Sequence, residues 1–89
     1  MNKITFDTMV DFEKIWTHYG RVNAMEWLSD KSGVEFTIWN EFLGKRVELI
    51  KQRVDYNEIM EQEKEAMENQ FEALGISDLW CEVEMYCAN

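Results

Sequence analysis

Five glutamates recur along one stretch of the chain at alternating steps of three and four residues. They are Glu58, Glu61, Glu65, Glu68 and Glu72, and we call them the acidic strip. In an α-helix, steps of this size put all five carboxylates on one side. Ionised carboxylates accept hydrogen bonds and attract cations, so a row of them can bind a positively charged surface. The strip therefore predicts a contact surface for a basic partner.

The net charge of the chain is concentrated in the same region. Residues 1–53 carry eight acids and eight bases and sum to zero, whereas residues 54–89 carry ten acids and one base, Lys64, and hold the whole −9. A solvated helix face usually mixes both signs, because opposite charges at i,i+4 stabilise the helix. The concentration of acidic residues without interspersed bases favours a binding role for the strip. A plain solvated face is the alternative interpretation.

Nucleic-acid mimicry is one form that such binding could take. Extended back to Asp55, the strip places a carboxylate about every 4 Å, at about 1.5 Å of helix rise per residue. Duplex DNA carries one charge per about 1.7 Å of axis. The helix has half that density or less, so mimicry would require Glu82, Glu84 or a second copy of the chain alongside.

A basic block precedes the strip, formed by Lys45, Arg46, Lys51 and Arg53. Bases near a helix C-terminus complement the helix dipole. Alternatively, the block of one copy meets the acidic strip of another in a homodimer that also buries Trp39 and Trp80. Four bases beside so many acids are too few for a nucleic-acid footprint, so we expect no direct contact with nucleic acid.

The remaining reactive residues predict no catalytic site. There is no Gly-rich phosphate loop, no nucleophile–base–acid set and no metal-ligand spacing, so we expect no enzyme activity, metal or cofactor. Cys81 and Cys87 are six residues apart, a spacing that puts their side chains too far apart for a mutual disulfide in either a helix or a strand. We expect Cys81 in the core and Cys87 exposed. Glu63 falls in the middle of an apolar helix face, which predicts a glutamate that extends its carboxylate to solvent or lies at the rim of an interface. A buried functional carboxyl is the alternative.

Helical periodicity and glycine positions define the elements that carry these residues. Gly20, Gly33 and Gly75 each follow an amphipathic run, as helix-ending glycines do. Helices are predicted from a Thr5 or Asp7 cap to about Tyr19, over 21–31, over 35–53, over 55–74, and after Ser77. An apolar stripe follows the third helix through Phe36, Trp39, Leu43, Val47 and Ile50. Gly44 lies inside that helix and indicates a kink or a close contact.

A break is predicted near residues 53–57. The apolar residues of 56–74, which include Tyr56, Met60 and Met67, lie nearly opposite the stripe of the preceding helix. One straight helix would have to bury opposite sides in its two halves. Asp55 can cap a new helix, with Glu58 completing a capping box.

Together these elements predict a mainly α fold, a compact four- to five-helix single domain over residues 1–89. The alternative is an α+β fold with a small sheet from residues 3–6, 34–39 and 81–87, where apolar residues also alternate. No run approaches the roughly 20 apolar residues of a membrane span, and the N-terminus lacks a signal-peptide pattern. We therefore expect a cytoplasmic protein that does not contact membranes.

The functional expectation is a non-enzymatic acidic protein that inhibits or regulates a partner by occupying its basic surface. Proteins that handle nucleic acid carry such surfaces, so a nucleic-acid-binding enzyme is the expected kind of partner. In size and charge the chain resembles the small acidic proteins that phages use against host enzymes or defence systems. The alternative is a homo-oligomeric helical structural or adaptor protein.

Overall fold

The computed structural model describes residues 4–88, most of which lie in five α-helices. The helices are α1 (Phe6–Tyr19), α2 (Arg21–Ser32), α3 (Thr37–Lys51), α4 (Tyr56–Leu74) and α5 (Ser77–Ala88). The mainly α prediction is confirmed, and within residues 4–88 the alternative sheet is wrong. Of the three segments of that sheet, residues 81–87 lie in α5, Phe6 begins α1 and residues 37–39 begin α3. Residues 4–5 and 34–36 lie in irregular backbone, and Lys3 lies outside the described residues.

Local side-chain and backbone chemistry sets the helix ends. The Thr5 hydroxyl accepts a hydrogen bond from the Thr8 backbone N–H at 3.2 Å, so Thr5 is the N-cap of α1. Gly33 and Gly75 end α2 and α4 in the left-handed region, with φ of 69° and 72°. Glycine adopts this conformation without a Cβ clash, and the chain can therefore turn within one residue.

The predicted break occurs at residues 52–55, between α3 and α4. Arg53 takes the left-handed conformation (φ 57°), and the Val54 N–H donates to the Leu49 carbonyl at 3.1 Å. This closure ends α3 as a Schellman turn does. The predicted capping box is wrong, because the Asp55 side chain makes no capping hydrogen bond. Residues 56–58 are exposed, so water can reach the first N–H groups of α4.

The core is built where α1 packs on α2 and α5, and where α4 packs on α3 and α5. At its centre, the Trp80 ring meets the rings of Phe12 and Phe71 edge to face, with centroids 5.2 and 5.6 Å apart. Such arrangements add to the stabilisation from aromatic burial. The other core residues are Met9, Ala24, Met25, Leu28, Phe36, Trp39, Phe42, Ala66, Met67, Ile76 and Val83.

The far end of the α3–α4 hairpin leaves apolar residues uncovered. Phe36 and Trp39 are buried as the stripe predicts, but Val47 and Ile50 are each 51% exposed and Tyr56 is 70% exposed. The cause is the length of the hairpin. Arg21, the first residue of α2, contacts Glu63 of α4, and Glu63 also contacts Arg46 of α3. The hairpin extends beyond this level, where α1 and α2 no longer cover it.

Gly44 lies within an uninterrupted α3, and a Cβ added there would meet no atom within 4 Å. The expected close contact is therefore wrong. We expect Gly44→Ala to raise the free energy of unfolding by about 0.5–1 kcal/mol, because alanine has the higher helix propensity. Urea denaturation followed by circular dichroism measures this. Gly75→Ala is the contrast and should destabilise, since φ is 72° there. A lower urea midpoint for Gly44→Ala would contradict this account of α3.

Candidate functional site

The acidic strip forms the outward side of α4, and all five of its glutamates are exposed. The opposite side of the helix is buried and includes Ile59, Ala66 and Phe71. The sequence-based placement of the strip on one exposed helix face is therefore confirmed. From Glu58 to Glu72 the strip is about 21 Å long, at about 1.5 Å of rise per residue.

Contacts with α3 hold the helix that carries the strip. The residue before α3 is Phe36, whose side chain cannot accept a hydrogen bond from the first turn. The buried Gln70 of α4 takes over this role, because its Oε1 accepts from the Trp39 backbone N–H at 3.0 Å. Gln70 thus satisfies an otherwise unpaired N–H of the α3 N-terminus and fastens α4 to α3.

The carboxylates of the strip are not neutralised by neighbouring side chains. Within residues 4–88, no salt bridge reaches any of the five glutamates. Lys64, the sole base of α4, lies to one side of the strip and is also exposed. The negative field of α4 consequently points outward into solvent, where it can act on an approaching cation.

The predicted basic block is divided among different environments. Arg46 pairs with Glu63, and Lys51 lies 3.8 Å from Glu48 on the same helix. Lys45 lines a groove, and Arg53 lies in the turn before α4. The four bases therefore do not form one uniform surface. Two of them are already paired with acids of their own chain.

Trp39 and Trp80 were expected at a self-association surface, but both are buried, at 2% and 5% exposure. Trp80 packs among the rings of α1 and α4, and Trp39 packs beside Phe42 with ring centroids 5.4 Å apart. Both indoles thus belong to the core of a single chain. A second copy could not contact them without opening that core.

A buried ion cluster links three helices, and sequence reasoning missed it. Arg21 Nη1 donates to Glu63 Oε1 at 3.1 Å, and Arg46 Nε lies 3.4 Å from Glu63 Oε2 without hydrogen-bond alignment. The Arg21 guanidinium also lies over the Trp16 ring, 5.3 Å from its centroid. Glu63 is only 3% exposed, so the expectation of a rim position is wrong. The available signal was a lone acid in the middle of an apolar helix face.

The two cysteines lie in environments that differ from those expected. Cys81 is exposed, whereas Cys87 is half-buried and near Glu13. Burial raises the pKa of the Cys87 thiol, and a hydrogen bond to the Glu13 carboxylate raises it further. Because the thiolate is the nucleophilic form, Cys87 is a weak nucleophile at neutral pH.

A groove of about 350 Å³ runs between α3 and α4 beside the acidic strip. Phe42 and Ala66 are buried and form its base, whereas Glu41 of α3 and Glu65 of α4 are exposed at its edges. Glu65 is also a member of the strip. The strip therefore continues into a concave surface that combines apolar and acidic side chains.

Residues 4–88 contain neither a three-ligand metal-ion site nor a membrane-spanning helix. No group of three or more His, Cys, Asp or Glu side chains in this part of the chain is arranged to hold a metal ion. None of its helices is long and apolar enough to cross a membrane.

Comparison of the chain with protein-family models, curated proteins and solved structures returned no match.

Proposed function

We propose that this protein is a non-enzymatic inhibitor or regulator that binds a basic surface of another protein through the acidic strip. The observation that carries the proposal is the row of five exposed carboxylates, none of which is in a salt bridge within residues 4–88. Like charges at i+3 and i+4 weaken a helix slightly. A basic partner would offset this repulsion and would also be steered toward the strip.

A nucleic-acid-handling protein is the kind of partner that fits this chemistry. Such proteins carry rows of Lys and Arg side chains that contact phosphates. The strip presents a comparable row of anions on one helix, although its charges are more widely spaced than those of duplex DNA. By covering the basic row, the protein would compete with nucleic acid for the same surface. A cytoplasmic location is part of this proposal.

Charge reversal tests the proposal directly. Glu61→Lys, Glu65→Lys and Glu68→Lys are combined in one variant, which we expect to stay helical and to lose capture of basic proteins from a cell lysate. The cause is electrostatic, since the exposed carboxylates that attract the partner become cations. Immobilised parent and variant proteins are compared by quantitative mass spectrometry, and circular dichroism checks the fold.

The matched control reverses three exposed acids outside α4, namely Asp11, Glu26 and Glu35. It changes the net charge by the same amount, so a general effect of charge would weaken capture equally in both variants. We expect this control to capture the same basic proteins as the parent. If both triple variants behave like the parent, the strip is a solvated helix face and the proposal fails.

Self-association is the second candidate function, and the uncovered end of the α3–α4 hairpin favours it. Exposed Val47, Ile50 and Tyr56 could be buried between two copies. The expected assembly is a two-fold homodimer, because closed symmetry is the usual solution. Sedimentation across micromolar concentrations tests it, with Ile50→Glu as the variant that should dissociate the dimer. A monomer at all concentrations would remove this candidate.

A further inference from the structure

The groove between α3 and α4 combines features that a plain charged surface lacks. Its base is apolar, with buried Phe42 and Ala66, and carboxylates stand at two edges, Glu41 from α3 and Glu65 from α4. Asn69 adds a polar amide at the rim. A ligand that fits must therefore carry a positive end and also an apolar stem that can lie on the base of the groove.

We propose that this groove binds an arginine side chain of the basic partner. This inference rests on the proposed function and adds a specific subsite to it. The methylene stem of the arginine would cover Phe42 and Ala66, while its guanidinium would reach Glu41 and Glu65. Long cationic side chains commonly bury their stems in this way and keep the charged group near solvent.

Arginine fits the groove better than lysine for three physical reasons. Its guanidinium is planar and can donate to two carboxylates at once, whereas an ammonium acts as a point charge. It is also more weakly hydrated, so it loses less on entering a partly apolar site. Finally, the Asn69 amide oxygen can accept one of the remaining N–H groups.

Lys45 modulates this subsite because it lines the same groove. Within residues 4–88 it forms no salt bridge with Glu41 or Glu65. Its ammonium repels an incoming guanidinium and lowers the affinity below what two carboxylates alone would provide. Replacement of Lys45 by Gln is therefore expected to strengthen arginine binding.

The test compares an oligo-arginine peptide with an oligo-lysine peptide of equal length, by calorimetric titration of the full chain. We expect the parent to bind the arginine peptide about tenfold more tightly, which corresponds to about 1.4 kcal/mol. Asn69→Trp fills the groove, and Glu41→Gln removes a groove carboxylate that is not part of the strip. Both should reduce the preference for arginine strongly and leave lysine-peptide binding nearly unchanged.

Two controls separate the groove from general effects. Cys81→Trp adds the same indole at an exposed site on α5, and Glu26→Gln removes an exposed carboxylate from α2. Both should retain the arginine preference of the parent. Circular dichroism establishes that each variant is folded, and Glu41→Gln keeps the test valid if Asn69→Trp alters the helix.

The outcomes distinguish failure of the subsite from failure of the proposed function. Equal affinity of the parent for both peptides, or an arginine preference that survives both groove variants, would overturn the subsite. If the peptides still bind through Glu61, Glu65 and Glu68, the proposed function survives that result. If neither peptide binds the parent, the acidic strip does not recognise basic chains and both proposals fail.

Discussion

Replacement of Glu63 by Gln is expected to lower the free energy of unfolding by about 3 kcal/mol. The change preserves shape but removes the negative charge between Arg21 and Arg46, which leaves two cations without a counter-ion. Removing one partner of a buried ion pair typically costs about 3–5 kcal/mol. We take the lower end because the Arg46 side chain is 35% exposed and water can screen part of its charge.

Urea denaturation of the parent and of Glu63→Gln measures this difference. Glu61→Gln is the matched control, because it makes the same chemical change at an exposed position on the same helix and should shift stability by less than about 0.5 kcal/mol. A triple variant with Arg21→Met, Glu63→Leu and Arg46→Met should recover most of the loss, since apolar groups can replace a buried ion cluster. Equal midpoints for the two glutamine variants would contradict the buried cluster.

Trp80→Ala is expected to destabilise the fold by about 3–5 kcal/mol. The indole contacts Phe12, Phe71 and Trp16, with ring centroids 5.2 to 5.6 Å away, and so it joins α5 to α1 and α4. Its removal leaves a cavity that three helices would have to close. Because small domains are stable by only about 5–15 kcal/mol, such a loss would leave the variant near its unfolding threshold.

Thermal and urea denaturation of Trp80→Ala test this core role. Tyr86→Ala provides the comparison on the same helix, since Tyr86 is 62% exposed and its ring meets Phe6 alone among the described rings. We expect the tyrosine variant to lose far less stability than the tryptophan variant. If Trp80→Ala keeps the midpoint of the parent but changes its sedimentation, Trp80 belongs to a contact between copies and not to the core.

Much of the fold could be predicted because local signals determine it. Gly33 and Gly75 end helices in left-handed conformations. A glycine that follows an amphipathic run predicts such an end without knowledge of any tertiary contact. The break before α4 follows from two apolar faces that point in different directions. Its capping chemistry could not be predicted, because the chain closes the turn through Arg53 in a conformation that is uncommon for arginine.

The acidic strip was predictable for the same local reason, since its spacing alone puts it on one helix face. The partners of Glu63 were not, because Arg21 lies 42 residues away and the contact depends on how α2 meets α4. The difference between the buried Trp39 and the exposed Val47 was also beyond local reasoning. Both residues lie on one apolar stripe. Which part of that stripe is buried depends on how far α1 and α2 extend along the α3–α4 hairpin.

The salt dependence of partner binding tests the central claim most directly. The dissociation constant for the captured basic partner is measured from about 0.1 M to about 1 M salt, over which the Debye length falls from about 10 Å to about 3 Å. If the acidic strip provides the contact, affinity should weaken steeply across this range, and most of the change should lie in the association rate. An affinity that stays constant with salt would contradict the account and would point to the apolar end of the α3–α4 hairpin instead.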